Sequence, residues 1–210
     1  SSSNGNTTTT VAANCKGVTP CLVNDYNIQE LSAEWSTPVA GRPLTVYVVH
    51  FKSMTNGRDG VDGRTSTMPI REAEAKAVRH IIENRFGREN ASQQSFVICG
   101  DMNDYQERVD VIGARRLGYR FEPVGGLSSA LDILSSDGFA ENVMLRRPVL
   151  ERWTLYHARG PEEQHLCQLD YIWLSPALAR ANPTVAPDII RNGQPFRTPF
   201  PPGQEIERYP

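Results

Sequence analysis

A short, densely apolar segment with a histidine near its end most constrains how this chain can fold. Residues 44–51 (LTVYVVHF) are rich in β-branched and aromatic side chains and follow a Gly-Arg-Pro sequence that breaks regular structure. A segment this apolar and this short is typical of a buried β-strand. Strand alternation places His50 on the same face as Leu44, Val46 and Val48. The sequence therefore predicts an imidazole at the end of a strand.

A long segment of helical periodicity follows. Apolar side chains recur at helical spacing along it: Ile70, Ala73, Ala77, Ile81 and Ile82. Pro69 suits a first helical turn, and Gly87 is a suitable stop after Phe86, so we predict a helix over residues 69–86. Residues 56–64, just before it, contain three glycines and charges of both signs, which predicts a surface loop. We expect the helix to pack on a sheet.

Two further apolar segments border on polar residues. Residues 96–99 are apolar without alternation, which is the pattern of a strand covered on both faces, and Gly100 ends this run. Residues 169–174 (LDYIWL) predict another strand, which ends at Ser175-Pro176. Strands interleaved with one long helix indicate a layered α/β domain around a single core.

The remaining parts of the chain give weaker patterns. Residues 107–117 predict a short helix, and residues 137–145 and 153–157 predict strands. Residues 1–21 are rich in Ser, Thr, Asn and Gly, which is typical of a loop-like start. Residues 181–210 are expected to form an irregular tail. No internal repeat divides the chain, so we expect one domain.

Composition narrows the class of protein and its partners. Hydrophobic residues make up 39% and charged residues 22% of the chain, as in a soluble globular protein. No apolar stretch approaches the roughly 18 residues that a membrane span needs. The 24 acidic and 22 basic residues give a net charge of −2, which excludes a global attraction to nucleic acid or anionic lipid. A phosphate-bearing substrate must then be held by local contacts or by a metal ion.

The four cysteines fall into two kinds. Cys99 and Cys167 lie beside apolar segments and are expected to be small core residues. Cys15 and Cys21 flank a Gly/Pro turn and are close enough in sequence to form a disulfide. Four cysteines in 210 residues do not make a disulfide scaffold, which favours a cytoplasmic protein with reduced thiols over a secreted or periplasmic one. A secreted hydrolase with Cys15 and Cys21 bridged is the alternative.

The polar cluster after residues 96–99 is the strongest candidate for chemistry. Asp101 and Asn103 lie two positions apart in the sequence GDMND, so in an extended chain they project to the same side. Mg²⁺ keeps most of its waters and takes only one or two carboxylates, so a sparse set of oxygen ligands suits it. The cluster predicts a Mg²⁺ or Mn²⁺ site beside a phosphate. The alternative is an ordinary turn, which Gly, Asp and Asn also favour.

Two further side chains have a chemical and a structural interpretation each. His50, followed by Lys52 and Ser53, is suited to hydrogen-bond a phosphoryl oxygen or to protonate a leaving group, although a buried histidine with satisfied nitrogens is the alternative. Asp170 shares a strand face with Ile172, and a carboxylate in an apolar layer needs a cationic or hydrogen-bonding partner. Its partner is either a catalytic histidine or a structural arginine.

Taken in order, VYVVHFKS, FVICGDMND and QLDYIWLSPAL resemble motifs of the endonuclease/exonuclease/phosphatase superfamily, a group of metal-dependent phosphoesterases. The resemblance covers roughly residues 44–180. It implies a DNase I-like sandwich of two facing β-sheets flanked by helices, in which the three motifs line one cleft.

The resemblance also implies roles for individual residues. Asp101 would bind or activate the attacking water and help to hold the metal, and Asn103 would orient the phosphate. His50 matches the position that contacts the phosphate in the nuclease branch. Asp170 matches the aspartate that orients the catalytic histidine. Arg71 is expected to be a structural ion pair rather than a ligand.

The chain departs from the superfamily pattern at both ends. Its opening asparagine strand and its Gln-Glu motif, whose glutamate is the principal metal ligand, have no counterpart at a matching place. Gln29-Glu30 lies too close to His50 in sequence, and we interpret it as a coincidental match. The closing Ser-Asp-His strand, which supplies the catalytic imidazole, is also lacking. We expect residues 1–210 to be an incomplete domain of a longer catalytic unit.

The sequence therefore predicts a metal-dependent hydrolase of phosphodiester or phosphomonoester bonds, with nucleic acid as one candidate substrate. Arginines that could follow a polynucleotide backbone occur in two clusters: Arg115, Arg116 and Arg120, and Arg146, Arg147 and Arg152. The alternative from another class is a non-catalytic binding or scaffold module that keeps the fold without a complete active site.

Overall fold

The structure, a computed structural model, describes residues 43–55, 61–195 and 197–204 in full. Before residue 43 it describes the backbone of three strands: β1 (Ala12–Ala13), β2 (Cys21–Leu22) and β3 (Ile28–Ala33). The later strands are β4 (Leu44–His50), β5 (Phe96–Asp101), β6 (Arg108–Ala114), β7 (Gly118–Val124), β8 (Glu141–Asn142), β9 (Leu155–Ala158), β10 (Gln164–Cys167) and β11 (Asp170–Leu174). The α-helices are α1 (Gly63–Phe86), α2 (Asp132–Ser135) and α3 (Pro176–Ala181).

The strands form two larger sheets and a small pair. The first sheet has the strand order β3-β4-β5-β11-β8, in which β4 and β5 run parallel and the other neighbours are antiparallel. The second sheet is antiparallel throughout, with the order β7-β6-β10-β9. Strands β1 and β2 pair with each other. The predicted α/β class, with two β-sheets and flanking helices, is confirmed.

The main core lies between α1 and the first sheet. The strand predicted over residues 44–51 is confirmed as β4, and its buried side chains alternate. Tyr47 and Val49 face the helix, where they join Val78 and Ile82 in one apolar cluster. The opposite face of β4, which ends in His50, is half-buried to exposed. Burial of apolar surface on one face of the strand therefore orients the imidazole away from the main core.

Helix α1 begins earlier than the sequence predicts. It starts at Gly63 rather than Pro69, because Asp62 caps it by accepting hydrogen bonds from the backbone N–H (3.0 Å) and the hydroxyl (2.7 Å) of Thr65. Gly63 is buried, and a Cβ there would lie 1.8 Å from the carbonyl oxygen of Met54. Pro69 is thus inside the helix, at an exposed position. The predicted stop at Gly87 is confirmed.

Residues 107–117 are not the predicted helix. Strand β6 covers residues 108–114 of this segment, and a turn follows. Val109 and Val111 are buried, while Arg108 and Asp110 alternate with them and are more exposed. This period of two fits a sheet with one covered face, and β6 pairs with β7 and β10 on its two sides.

Other weak predictions are met in part. The strand expected over residues 153–157 is β9, shifted by one or two residues. Of residues 137–145, only Glu141–Asn142 are a strand, and 3₁₀ turns on either side occupy much of the rest. The strand predicted over residues 96–99 extends to Asp101 as β5 and is covered well on one face only, because α1 packs against Phe96 and Ile98. The strand predicted over residues 169–174 is confirmed as β11.

The second sheet has its own apolar cluster. Trp153, Val109 and Leu166 form its centre, together with Phe200 from the segment after α3. The rings of Phe200 and Trp153 meet edge to face, with centroids 5.2 Å apart, and the guanidinium of Arg191 lies over the Trp153 ring at 4.3 Å. The described part of the chain after Ala181 has no helix or strand, but it covers this cluster.

The prediction that Cys99 and Cys167 are core residues is met by Cys167 only, since Cys167 is buried and Cys99 is half-buried. Both thiols are free, and burial raises the pKa of the Cys167 thiol to about 12. The suggested bridge between Cys15 and Cys21 lies outside the residues whose side chains are described. No helix in the described part of the chain has the length and apolar character to cross a bilayer.

Gly100 allows β4 and β5 to approach closely, which yields a test. Its φ is +137°, and a Cβ there would lie 2.0 Å from the carbonyl oxygen of Val49. Gly126 also has a positive φ of +70°, but a Cβ there would meet no atom within 4 Å. Urea unfolding should show a loss of at least about 3 kcal/mol for Gly100→Ala and about 1 kcal/mol for Gly126→Ala. Equal losses would mean that the backbone contact does not limit stability.

Candidate functional site

Three of the residues predicted to be functional lie side by side across the first sheet. His50 is opposite Asp101 in the parallel β4–β5 pair, and Asp101 is opposite Asp170 in the antiparallel β5–β11 pair. Directly opposite residues project from the same face with Cβ atoms about 4.5–5.5 Å apart in antiparallel pairs. The register therefore brings an imidazole and two carboxylates together where the three central strands of the sheet meet its one end.

Asp101 is the centre of this row. Its Oδ1 accepts a hydrogen bond from the backbone N–H of Asn103 at 2.9 Å, and its Oδ2 lies 3.8 Å from Nε2 of His50. The His50 side chain is 69% exposed and that of Asp101 is 38% exposed. Burial, and then the negative charge of Asp170, raise the pKa of Asp101, whereas the Asn103 hydrogen bond and His50 oppose the rise. Its carboxylate is thus more basic than an ordinary aspartate.

Asp170 differs from the sequence-based expectation. It is exposed rather than enclosed in an apolar layer, because the face it shares with Ile172 is open and Ile172 is itself 38% exposed. Within the described residues no ion pair reaches its carboxylate. Its backbone is held by hydrogen bonds with Thr154 (3.2 Å) and Gln168 (3.0 Å). The charge of Asp170 is therefore directed to solvent and to its neighbour Asp101.

Asn103 is buried and has an unusual backbone conformation. Its φ is +48°, a region that asparagine tolerates better than most residues, and it is only 7% exposed. Its side-chain nitrogen donates a hydrogen bond to the carbonyl oxygen of Phe51 at 3.0 Å. Asn103 therefore ties the turn after β5 to the end of β4, and its side-chain oxygen is the atom that would contact a cation or a donor.

The segment after His50 is fixed by helix α1. The backbone N–H of Lys52 donates to the carboxylate of Glu74 at 2.7 Å, and the carbonyl of Lys52 accepts from Arg71 at 3.3 Å. Arg71 and Glu74 are both buried, and they lie three positions apart on one face of α1. The helix thus determines the position of the backbone from which His50 and Lys52 project.

A buried ion-pair network connects this helix to the turn after β5. Asp104 is fully buried, and its carboxylate lies 3.3 Å from Arg71 and 2.9 Å from Arg64. It also accepts backbone hydrogen bonds from Tyr105 (2.9 Å) and Ala130 (3.0 Å). The interpretation of Arg71 as a structural ion pair is confirmed.

Sequence reasoning missed Arg64, Glu74 and Asp104. The available signal was the helical spacing of charged residues with Arg71, which puts them on the face that α1 buries. Asp104 stands directly beside Asn103 in the motif, but its role depends on contacts with a distant helix. Neither Asp104 nor Glu74 is exposed, so both act as supports rather than as groups that could touch a substrate.

The side chains present at the row limit the kind of metal site that can form there. Within the described residues no three His, Cys, Asp or Glu side chains are grouped so as to hold a metal ion. Asp101 and Asp170 nevertheless offer two adjacent carboxylates whose repulsion a cation would relieve, and Mg²⁺ takes only one or two carboxylates. The residues present therefore fit a sparsely ligated, hydrated divalent cation. Glu30 lies in β3 opposite Tyr47, and only its backbone is described.

The second arginine cluster is occupied by internal contacts. Arg146 pairs with Glu141 at 2.7 Å and Arg152 pairs with Glu107 at 2.7 Å, while Arg147 pairs with Glu151 and Asp188. These guanidiniums therefore hold the loops between β8 and β9 in place.

No family model and no curated protein matches this chain. Several solved structures are similar to it in part. The catalytic domain of human Nocturnin with bound sulfate is 17% identical, with a TM-score of 0.39, and the match covers 70% of this chain and 40% of that one. A mannosyl-6-phosphatase of Bacteroides thetaiotaomicron is 12% identical, with a TM-score of 0.41 and coverage of 77% and 45%.

The third similar structure is a β-hairpin deletion mutant of β toxin from Staphylococcus aureus, which is 14% identical, with a TM-score of 0.42 and coverage of 88% and 55%. The chain thus spans 40% to 55% of the length of these three proteins. Similarity at this level assigns no role to any residue.

The buried network predicts a large loss of stability when Asp104 is removed. Asp104→Ala leaves the charge of Arg71 buried without its partner, which costs about 3–5 kcal/mol. The control is Asp137→Asn, because Asp137 also pairs with an arginine, Arg79, but its side chain is 78% exposed, and asparagine tolerates the positive φ of +55° at this position. That control should lose less than about 1 kcal/mol. Chemical denaturation followed by tryptophan fluorescence measures both, and similar losses would contradict the structural role of Asp104.

The repulsion between two carboxylates predicts a pKa change. In Asp170→Asn, the negative charge that helps raise the pKa of Asp101 is gone, so this pKa should fall towards its ordinary value. Because a raised pKa means that the folded state holds the proton more tightly, stability should decrease as the pH rises from the ordinary aspartate pKa through the folded one. This decrease should be smaller in Asp170→Asn. Carboxyl-detected NMR titration of Asp101 gives the pKa, and an unchanged value would contradict the coupling.

Proposed function

We propose that this protein hydrolyses phosphate esters with the help of a divalent cation, at the adjoining ends of the neighbouring strands β4, β5 and β11. The observation that carries the proposal is the register that places His50, Asp101 and Asp170 in one row. The resemblance of the three motifs to the endonuclease/exonuclease/phosphatase superfamily supports the same chemistry.

Asp101 is suited to act on the attacking water. Without a cation its pKa is raised, and a bound cation would lower this pKa again, so the carboxylate would be ionised and able to accept a proton from water at neutral pH. The hydrogen bond from Asn103 holds one carboxylate oxygen, so the other can accept a proton from water. Because the turn after β5 is tied to Phe51, the direction of this oxygen is fixed before substrate binds.

His50 and Lys52 are placed to meet a phosphate. The His50 ring is exposed and lies 3.8 Å from Asp101, so a phosphoryl group in front of the row would be within its reach. Lys52 adds a positive charge two positions along the chain, and its backbone is held by Glu74. Both side chains would stabilise negative charge that develops on the phosphate oxygens.

Asp101 and Asp170 would hold the cation, with the side-chain oxygen of Asn103 as a further candidate ligand. When bound, Mg²⁺ or Mn²⁺ would neutralise phosphate charge in the transition state. For the protein, cation binding would also remove the repulsion between two neighbouring carboxylates. Cation affinity should therefore depend on both aspartates.

Hydrolysis of p-nitrophenyl phosphate and bis(p-nitrophenyl) phosphate tests the proposal. We expect turnover that requires Mg²⁺ or Mn²⁺ and is lost on addition of EDTA. Asp101→Asn should reduce kcat by about 10²–10⁴-fold, because the group that accepts the proton is gone. Asp188→Asn is the control, since that carboxylate is 91% exposed and lies outside the row.

A second measurement separates catalysis from binding. Mg²⁺ should raise the Tm of the protein, and Asp170→Asn should reduce this shift. A shift in Tm without hydrolysis of either ester would favour the non-catalytic binding module. Full metal-dependent activity in Asp101→Asn would contradict the role given to this residue.

A further inference from the structure

A cavity among the described residues adjoins the candidate site. Its volume is about 610 Å³, and it lies between the first turn of α1 and the second sheet. Asn103 and Ser53 belong to its lining, so it begins where the turns after β4 and β5 meet. A cavity of about 300–1,000 Å³ suits a small-molecule ligand. It is therefore large enough for the organic part of a substrate whose phosphate lies at the row of His50, Asp101 and Asp170.

One wall of the cavity is a row of flat side chains. The rings of His157 and His165 stack with centroids 4.8 Å apart, and the ring of Tyr105 lies 5.8 Å from that of His165. The guanidinium of Arg64 continues the row, 4.6 Å above the Tyr105 ring. Burial, and then His157 and Arg108, lower the pKa of His165 to about 4, so its ring is uncharged at neutral pH. The wall thus combines flat surfaces with hydrogen-bonding edges.

The charges that line the cavity nearly cancel. The described lining residues include four carboxylates and three guanidiniums: Asp62, Asp110, Glu162 and Glu163, and Arg64, Arg108 and Arg159. Most of these groups are already paired. Arg108 lies 2.7 Å from Asp110, and Glu163 lies 3.4 Å from His157 and 4.0 Å from Arg159.

The near balance of charge in the cavity favours a small neutral ligand over a polynucleotide. A polynucleotide brings a phosphate with every nucleotide and needs a surplus of positive charge to bind. The lining residues that the structure describes offer no such surplus, and their carboxylates would repel additional phosphates. Paired carboxylate and guanidinium groups instead present acceptors and donors side by side, which matches neighbouring hydroxyl groups on a ring. Flat side chains beside them suit the C–H faces of such a ring.

We propose that this cavity binds a neutral, polyhydroxylated sugar ring, and that the substrate is a small sugar phosphate ester rather than a polynucleotide. The identification of the substrate rests on the proposed function, whereas binding of the ring does not. Asp110 and Arg108 on β6, and Glu163 between β9 and β10, contact the hydroxyl groups. The ring lies against His157.

Isothermal titration calorimetry of the full chain without divalent metal tests the cavity independently of hydrolysis. The probes are methyl α-D-glucopyranoside and methyl β-D-ribofuranoside, which distinguish a hexose from the ribose of a nucleotide. We expect at least one of them to bind, and Asp110→Asn to weaken binding at least about tenfold because a charged acceptor is lost. Glu122→Gln is the matched control. It removes the same charge from the position opposite Asp110 on β7, and Glu122 does not line the cavity.

The outcomes separate the two proposals. Absence of binding by both glycosides, or equal binding by Asp110→Asn and the parent protein, would overturn the cavity proposal. So would displacement of a bound glycoside by a twelve-residue oligodeoxythymidylate, because a polynucleotide would then occupy the cavity. Glycoside binding without hydrolysis of any phosphate ester would leave the sugar site in place and remove the proposed function. Hydrolysis of phosphate esters without glycoside binding would support the proposed function and overturn the sugar site.

Discussion

The buried pair between Arg71 and Asp104 is the constraint on which the site depends. Both side chains are fully buried, and an unpaired charge at such depth costs several kcal/mol, so the two must stay together. Arg71 also holds the carbonyl of Lys52, and its neighbour Glu74 holds the N–H of the same residue. One helix face therefore positions the turn after β4 and the turn after β5 relative to each other. The pair stabilises the arrangement of the site as well as the fold.

The candidate site combines a rigid support with an unfavourable concentration of charge. His50, Asp101 and Asp170 occupy the ends of paired strands, and backbone hydrogen bonds continue beyond those strands from Phe51 to Asp101 (2.9 Å) and from Met102 to Leu169 (2.8 Å). The backbone positions of Asp101 and Asp170 are therefore fixed next to each other across the β5–β11 pair. Binding of a cation or a proton would stabilise such a site, because it would neutralise part of this negative charge. A cation held there would also be in place to stabilise the charge of a phosphate ester.

The sequence predicted the parts of the fold that local patterns determine. Strands β4, β5 and β11 follow from dense apolar segments, and His50, Asp101 and Asp170 were identified because polar residues interrupt those segments. The sequence was wrong for residues 108–114, which form a strand because β7 and β10 pair with them. The start of α1 at Gly63 was also missed, although its cap is a local signal, since Asp62 and Thr65 are three positions apart. The supports Glu74 and Asp104 were missed, since their role exists only when α1 lies against the two turns.

Gly100 has a consequence for how this protein can change over evolution. Because the main chains of β4 and β5 touch at this glycine, the spacing between the strands that carry His50 and Asp101 is set by backbone atoms. A side chain at position 100 would push the two strands apart, so a substitution there would change the distance between His50 and Asp101 as well as the stability of the fold. Selection for the fold and selection for the site therefore act on the same position.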